Sequence, residues 1–144
     1  LDFCESPEAR EYFRERFGVP EEVLCRYRFL RRGKYVWAFS GTVLIPGRVE
    51  HAGIKALSLG GATPKPTTAF LRVIGPYATK NVVRVGREDA LAFLRGEEVP
   101  GRWDATRGYV VVIAGNDVLG CGFYTGDSLR SMVPREYRME DTWV

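Results

Sequence analysis

The 144 residues are enough for one domain, or for two small halves that share an interface. Apolar residues make up 45% and charged ones 27%, near the average for ordinary globular domains, which excludes disorder, collagen-like repeats and low-complexity chains. No apolar run approaches the roughly 18 residues of a membrane span and no signal-peptide core opens the chain, so no membrane partner is expected. Leu1 stands where a start methionine would, as in a processed or trimmed product. The cysteines Cys4, Cys25 and Cys121 form no C-x-x-C pair and leave one thiol unmatched in a monomer, which fits a reducing, cytoplasmic setting.

Of the 21 basic residues only Lys34, Lys55, Lys65 and Lys80 are lysines, leaving 17 arginines. Glutamine is absent and asparagine occurs only as Asn81 and Asn116. Scarce amides fit a heat-adapted source, while GC-rich coding also favours arginine. Residues 1–75 hold 12 basic and 8 acidic groups, against 9 and 10 in residues 76–144. Between Arg26 and Lys55 seven basic residues face Glu50 alone. Such a stretch suits phosphate binding, and a solvated arginine-rich surface accounts for it equally well.

Ser6-Pro7-Glu8 predicts a helix start, with a hydroxyl at the N-cap, proline in the first turn and an acid near the positive end of the dipole. Ala9, Tyr12, Phe13 and Phe17 share one apolar face, and Gly18 is placed to end the helix. Pro20-Glu21-Glu22 opens a second, short helix. From Arg26 the period changes to two: Tyr27 and Phe29 alternate with Arg26 and Arg28, and Tyr35, Trp37 and Phe39 follow Arg32-Gly33. This predicts a β-hairpin turning at Gly33. Aromatic rings interleaved with cations suit a nucleic-acid-facing sheet, with Arg28, Arg31, Arg32 and Lys34 as its members; a half-buried hairpin packed on a core has the same pattern.

Residues 42–45 and 54–59 read as strands split by Pro46-Gly47, and residues 60–66 as a loop. Thr67 opens a short helix with Phe70, Val73 and Ile74 inward, closed by Gly75-Pro76. Residues 76–80 are the candidate boundary between halves. A strand over 81–85, a helix over 88–95 with Gly96 at its C′ position, a loop over 101–107, and paired strands over 109–114 and 118–124 follow. Gly120 and Gly122 predict the close approach of a backbone or a ring. A last segment runs over 129–139 through Pro134. Strands with few helices and no βαβ rhythm imply an α+β fold with a small mixed barrel.

Catalytic chemistry finds little support. His51 is the only histidine, so no histidine cluster, H-E-x-x-H or C-x-x-C exists, and no metal site or cofactor is expected. Cys25, beside Arg26 and Arg28, is a candidate reactive thiol, but a small apolar filler is the stronger reading; Cys121, between glycines in a strand, should be buried. Neither G-x-S-x-G nor a P-loop is present. The acidic pairs Glu21-Glu22, Glu97-Glu98 and Glu140-Asp141 lie at helix edges and tails, where they are solvated.

The order Asn81-Val82-Val83-Arg84-Val85, then Glu88 through Val99 with Arg95-Gly96, then Gly108-Tyr109-Val110-Val111-Val112 and Val118-Leu119-Gly120-Cys121-Gly122-Phe123-Tyr124, resembles a PUA-type domain. The close, Val133-Pro134-Arg135-Glu136-Tyr137-Arg138, resembles the Pro-basic-x-x-Arg ending of the PUA-like tails on RNA cytosine-5 methyltransferases of the Nop/Sun type. Lys65-Pro66-Thr67-Thr68, followed by Phe70-Leu71 and Gly75, is similar to the pre-PUA segment of archaeal relatives. The resemblance implies an N-terminal α/β pre-PUA module over 1–79, a PUA-like mixed barrel over 80–144, and binding of structured RNA such as tRNA or rRNA. It carries RNA contacts onto Arg87, Arg95 and Gly96, with Lys80 and Arg84 close by, Arg102 and Arg107 flanking a loop, and Arg135 and Arg138 at the ending. Gly96 would let the RNA backbone approach; an ordinary helix-ending glycine explains it as well. Nop/Sun enzymes carry catalytic cysteines in Pro-Cys and Thr-Cys contexts, whereas Phe3, Leu24 and Gly120 precede the cysteines here. The expectation is therefore a non-catalytic RNA-binding protein, accessory to an RNA-modifying enzyme or a ribosomal particle. The alternative is a protein-interaction module similar to the Nip-type ribosome biogenesis factors, docking through Tyr35 and Trp37. A small enzyme using Cys25 or His51 is the third possibility.

Overall fold

The structure, a computed structural model, describes residues 3–40, 43–45, 48–50 and 53–138. A two-residue strand β1 (Cys4–Glu5) leads into helix α1 (Pro7–Phe17), then α2 (Glu21–Leu24) and the hairpin β2 (Arg28–Arg32) and β3 (Tyr35–Phe39). Ala9, Phe13 and Phe17 are the buried stripe of α1, and Gly18 ends it with φ 61°. Ser6 sits at the N-cap position, but its side chain makes no cap bond; its amide instead donates to the Phe29 carbonyl at 2.9 Å, tying the helix start to β2. The hairpin turns at Gly33, whose φ of 62° is a value that glycine adopts without a Cβ clash.

A small hairpin β4 (Val43–Ile45) and β5 (Arg48–Glu50) follows, then β6 (Gly53–Ser58) and β7 (Lys65–Pro66), giving a first sheet in the order β1-β2-β3-β6-β7. Pro46-Gly47 and His51 lie outside the described residues. Strands β5 and β7 are too short or too polar to carry a period-two signal. Helix α3 (Thr68–Ile74) begins at Thr67, whose hydroxyl accepts from the Phe70 amide at 3.1 Å. Its buried side chains are Thr68, Phe70, Leu71 and Ile74. Val73, expected inside, is exposed, because the helix turns Leu71 toward the core in its place.

A 3₁₀ turn (Gly75–Tyr77) leads to the second sheet: β8 (Val82–Arg84), helix α4 (Arg87–Leu94), β9 (Val99–Pro100), β10 (Gly108–Ala114), β11 (Asp117–Tyr124) and β12 (Ser128–Ser131), closed by a 3₁₀ turn (Arg135–Tyr137). Its order is β8-β10-β11-β12-β9, with β8 parallel to β10 and the other pairs antiparallel. The expected small barrel is instead a mixed sheet curled into a half-barrel. Its two edges, β8 and β9, do not pair; the loop after β9 crosses between them, and the Trp103 indole donates to the Arg84 carbonyl at 3.2 Å.

The continuous apolar run of β10 follows from burial on both faces. Val110 and Val112 join Val83, Phe93, Val99 and Leu129 in the core of the second sheet. Val111 and Ile113 point the other way, into the larger core formed by Phe13, Phe17, Phe29, Phe70 and Leu71. A residue of β11, Cys121, is in that larger core as well. The two sheets therefore share a hydrophobic core, and α3 lies between them.

Gly120 explains the α3 contact. It has φ 151°, and an added Cβ would come within 2.8–2.9 Å of the Thr68 side chain and 3.0 Å of Val133. The strand is irregular there, since the β10–β11 register shifts beside Val112. The approach expected at Gly120 and Gly122 is thus made mainly by side chains, with the Phe93 ring 3.2 Å from a Cβ at Gly122.

Candidate nucleic-acid interface

The C-terminal end of α1 is where the second half docks. Thr79 and Lys80 amides both donate to the Phe17 carbonyl, at 2.8 and 3.0 Å. The Thr79 hydroxyl donates to the Gly18 carbonyl at 2.8 Å, the Asn81 side-chain Nδ2 to the Arg16 carbonyl at 2.6 Å, and the Lys80 ammonium to the Glu15 carbonyl at 3.2 Å. A helix leaves its last carbonyls without partners and carries partial negative charge there, so residues 79–81 act as a cap supplied by the next sheet. Lys80, expected at an RNA surface, is used in this cap. Asn81 holds φ 54°, and its side-chain oxygen accepts from the Thr106 amide at 2.8 Å.

Arg16 crosses the same seam: Nε donates to the Tyr109 carbonyl and a terminal nitrogen to the Thr106 carbonyl, each at 2.8 Å. Burial pulls its pKa down from the ordinary arginine value. On the far side of the seam, Arg72 Nε donates to the Leu119 carbonyl at 3.0 Å. Sequence reasoning missed Arg16 and Arg72. Their helical positions give no sign that they leave the surface.

The expected contacts of the second half separate into three groups. Arg84 on β8, Arg87 at the start of α4, Arg107 and Arg135 are exposed, with neither an acidic partner nor a carbonyl partner among the described residues. Arg102 pairs with Asp127 at 3.1 Å, both well exposed, which neutralises it without much stability gain. Arg95 is the C-cap residue of α4, and Arg138 lies over the following Gly96. There the Gly96 amide donates to Phe93 and the Glu97 amide to Ala92, at 3.0 and 2.9 Å, which is the Schellman helix ending with Gly96 at φ 86°. A Cβ at Gly96 would lie 2.8 Å from the Arg138 guanidinium. The space over Gly96 is therefore filled by Arg138, itself fixed by a 3.0 Å bond from Nε to the Val133 carbonyl.

In the hairpin, Phe29, Val36 and Ala38 face the core. Leu30 pairs with Trp37 and Arg32 with Tyr35 across the strands, so Leu30, Arg32, Tyr35, Trp37 and Phe39 share the outer face. Aromatic rings and arginines do interleave, but Phe29 is on the opposite side from the three rings of β3. Arg28 is bound to Glu5 at 2.7 Å, and Arg31 lies 3.8 Å from Glu8 while its Nε donates to the Gly33 carbonyl. Arg32 and Lys34 have no acidic partner among the described residues and lie over Phe3 and Tyr35, at 5.5 and 5.2 Å from the ring centres.

Residues 80–139 match the family model described as "Methyltransferase RsmF PUA domain". Residues 80–139 form a PUA-like domain. It resembles the C-terminal region of the Nop/Sun-type enzymes, as the order of its strands and its Pro134-to-Arg138 ending imply. No curated protein matches the chain.

Within the PUA-like domain, burial pushes the Cys121 thiol up to about 12, so it stays protonated and inert. Burial also raises the Tyr109 phenol and, more strongly, Tyr12 on α1. Glu98 is held below the usual carboxylate range by hydrogen bonds from Arg130 and Ser128. Cys25, expected as a buried filler, is exposed instead: the single turn of α2 directs Val23 and Leu24 into the core and leaves the following Cys25 outside it. Among the described residues no three His, Cys, Asp or Glu side chains gather as metal ligands, and no helix is long and apolar enough to cross a membrane.

Proposed function

We propose that the chain binds structured RNA, tRNA or rRNA, without carrying out chemistry itself, as an accessory to RNA modification or ribosome biogenesis in the cytoplasm. The carrying observation is the match of residues 80–139 to the PUA domain of an RNA-modifying methyltransferase, a domain type that grips RNA. The exposed Arg84, Arg87, Arg107 and Arg135, which form no ion pair among the described residues, are available for phosphate contacts on the same domain. In this reading the first half is a pre-PUA companion module that fixes the PUA-like domain through the α1 cap and the shared core. Folded RNA would be held through phosphates and 2′-hydroxyls.

Binding to a folded tRNA and to duplex DNA, each across a salt titration, tests this. The expected result is RNA affinity well above DNA affinity, with log K falling against log salt by about 0.7–0.9 per phosphate contact. Weak binding equal for both would reject it. The Nip-type protein-interaction reading draws on one observation, the concave outer face lined by Phe3, Leu30, Arg32, Trp37 and Phe39. A Trp37→Ala change that leaves RNA affinity intact but abolishes recovery of one defined protein after nuclease treatment would favour it.

A further inference from the structure

A cleft of about 510 Å³ opens between the two halves, within the roughly 300–1,000 Å³ typical of small-ligand sites. Two segments that the sequence singled out separately form its walls: Lys65-Pro66-Thr67-Thr68 on one side, and Pro134, Glu136 and Tyr137 on the other. On the first wall, Tyr35, Ser58 and Lys65 lie in one row across β3, β6 and β7, as direct cross-strand partners. The Lys55 ammonium rests 3.8 Å from the Tyr35 ring centre and 5.4 Å from that of Trp37.

Neither Lys55 nor Lys65 has a carboxylate within 4.0 Å among the described residues, and the Ser58 hydroxyl has no hydrogen-bond partner there. Rings hold an ammonium in place but accept only weak hydrogen bonds, so the N–H donors of Lys55 stay available for an anion. The opposite wall carries Tyr137, 50% exposed, with the Arg72 guanidinium 5.5 Å from its ring centre. Glu136 also lines that wall, and its negative charge disfavours an anion there relative to the lysine side.

We infer that this cleft takes one unpaired nucleotide of a bound RNA, its phosphate at Lys55, Lys65 and Ser58 and its base stacked on Tyr137. The inference rests on the RNA-binding reading above and adds to it a single-strand site built from Lys55, Ser58, Lys65 and Tyr137, side chains to which the PUA-type resemblance assigns no contact. A paired nucleotide is excluded, because a base within a duplex offers no face to Tyr137.

The test is fluorescence anisotropy on the full chain, with a labelled RNA hairpin that is either blunt or extended by a short unpaired uridine flank. The wild-type chain should bind the flanked RNA about tenfold more tightly, the scale of one stacked base. Lys55→Ala/Lys65→Ala should erase that preference and lower the salt slope by about 0.7, one single-strand phosphate. Tyr137→Ala should cost about tenfold on the flanked RNA alone, and Lys55→Arg/Lys65→Arg should keep the preference. Equal wild-type affinity for both RNAs, or a preference that survives the double alanine change, overturns the cleft site and leaves the RNA-binding reading standing. No binding to either RNA rejects that reading itself.

Discussion

In the seam between the two sheets, Arg16, Arg72 and Lys80 aim their N–H groups at backbone carbonyls of another element. On the outward surface of the PUA-like domain, Arg84, Arg87, Arg107 and Arg135 meet neither carbonyl nor carboxylate among the described residues. The hairpin stands between these cases, with Arg28 and Arg31 drawn toward Glu5 and Glu8 while Arg32 and Lys34 stay unpaired. Net charge is a poor guide to which case applies. The half with more basic residues ties several of them down, and the half with the acidic excess keeps four arginines without a partner among the described residues. Partners decide whether a cation holds the fold or is available to a phosphate.

The largest effect should come from the core that joins the two sheets. Phe70 is fully buried against the rings of Phe13, Tyr27 and Phe29, so Phe70→Ala should cost about 3–5 kcal/mol. Urea unfolding followed by tryptophan fluorescence (Trp37 in the first half, Trp103 and Trp143 in the second) and by circular dichroism should shift as one transition. Two separated transitions would mean that the halves unfold independently. Arg16→Ala removes two charged hydrogen bonds across the seam and should cost about 2 kcal/mol in the same assay. A loss below a few tenths would move Arg16 from the seam to the surface class.

The helix and hairpin starts were legible because their signals are local: Pro7 and Gly18 bracket α1, Gly33 sets the hairpin turn, and Thr67 caps α3. The PUA-like strands were legible through their order and apolar runs. Partners distant in sequence were not. Lys80 reads as a surface cation until α1 is placed beside it, and Arg16 lies 93 residues from the Tyr109 carbonyl it bonds. Gly96 illustrates the limit of a motif, since the same glycine that ends α4 is covered by Arg138 from the far end of the domain. The cleft was hidden for the same reason, its two walls being separate motifs until the fold set them opposite each other.

Thiol chemistry sharpens the contrast between core and surface. In the native chain a thiol reagent at mildly alkaline pH should label Cys4 and Cys25, both exposed, and reach Cys121 only after unfolding. Cys121 keeps its proton in the fold up to about 12, whereas an unfolded cysteine ionises near 8.5. Its contribution to stability is thus complete below about pH 8.5 and declines as pH rises toward 12. Native labelling of all three thiols would contradict the shared core. The smallest effect is expected at the exposed Arg102–Asp127 pair, where Arg102→Ala should change stability by about 1 kcal/mol or less.

The division between seam and surface cations is tested most directly by the salt slope of RNA binding, measured for the wild-type chain, Arg16→Ala and Arg84→Ala/Arg87→Ala under conditions where all three are folded. The account predicts an unchanged slope for Arg16→Ala and a slope lower by about 1.4–1.8, two phosphates' worth, for the surface double variant. An unchanged slope in the surface variant, or a reduced one in Arg16→Ala, would contradict it.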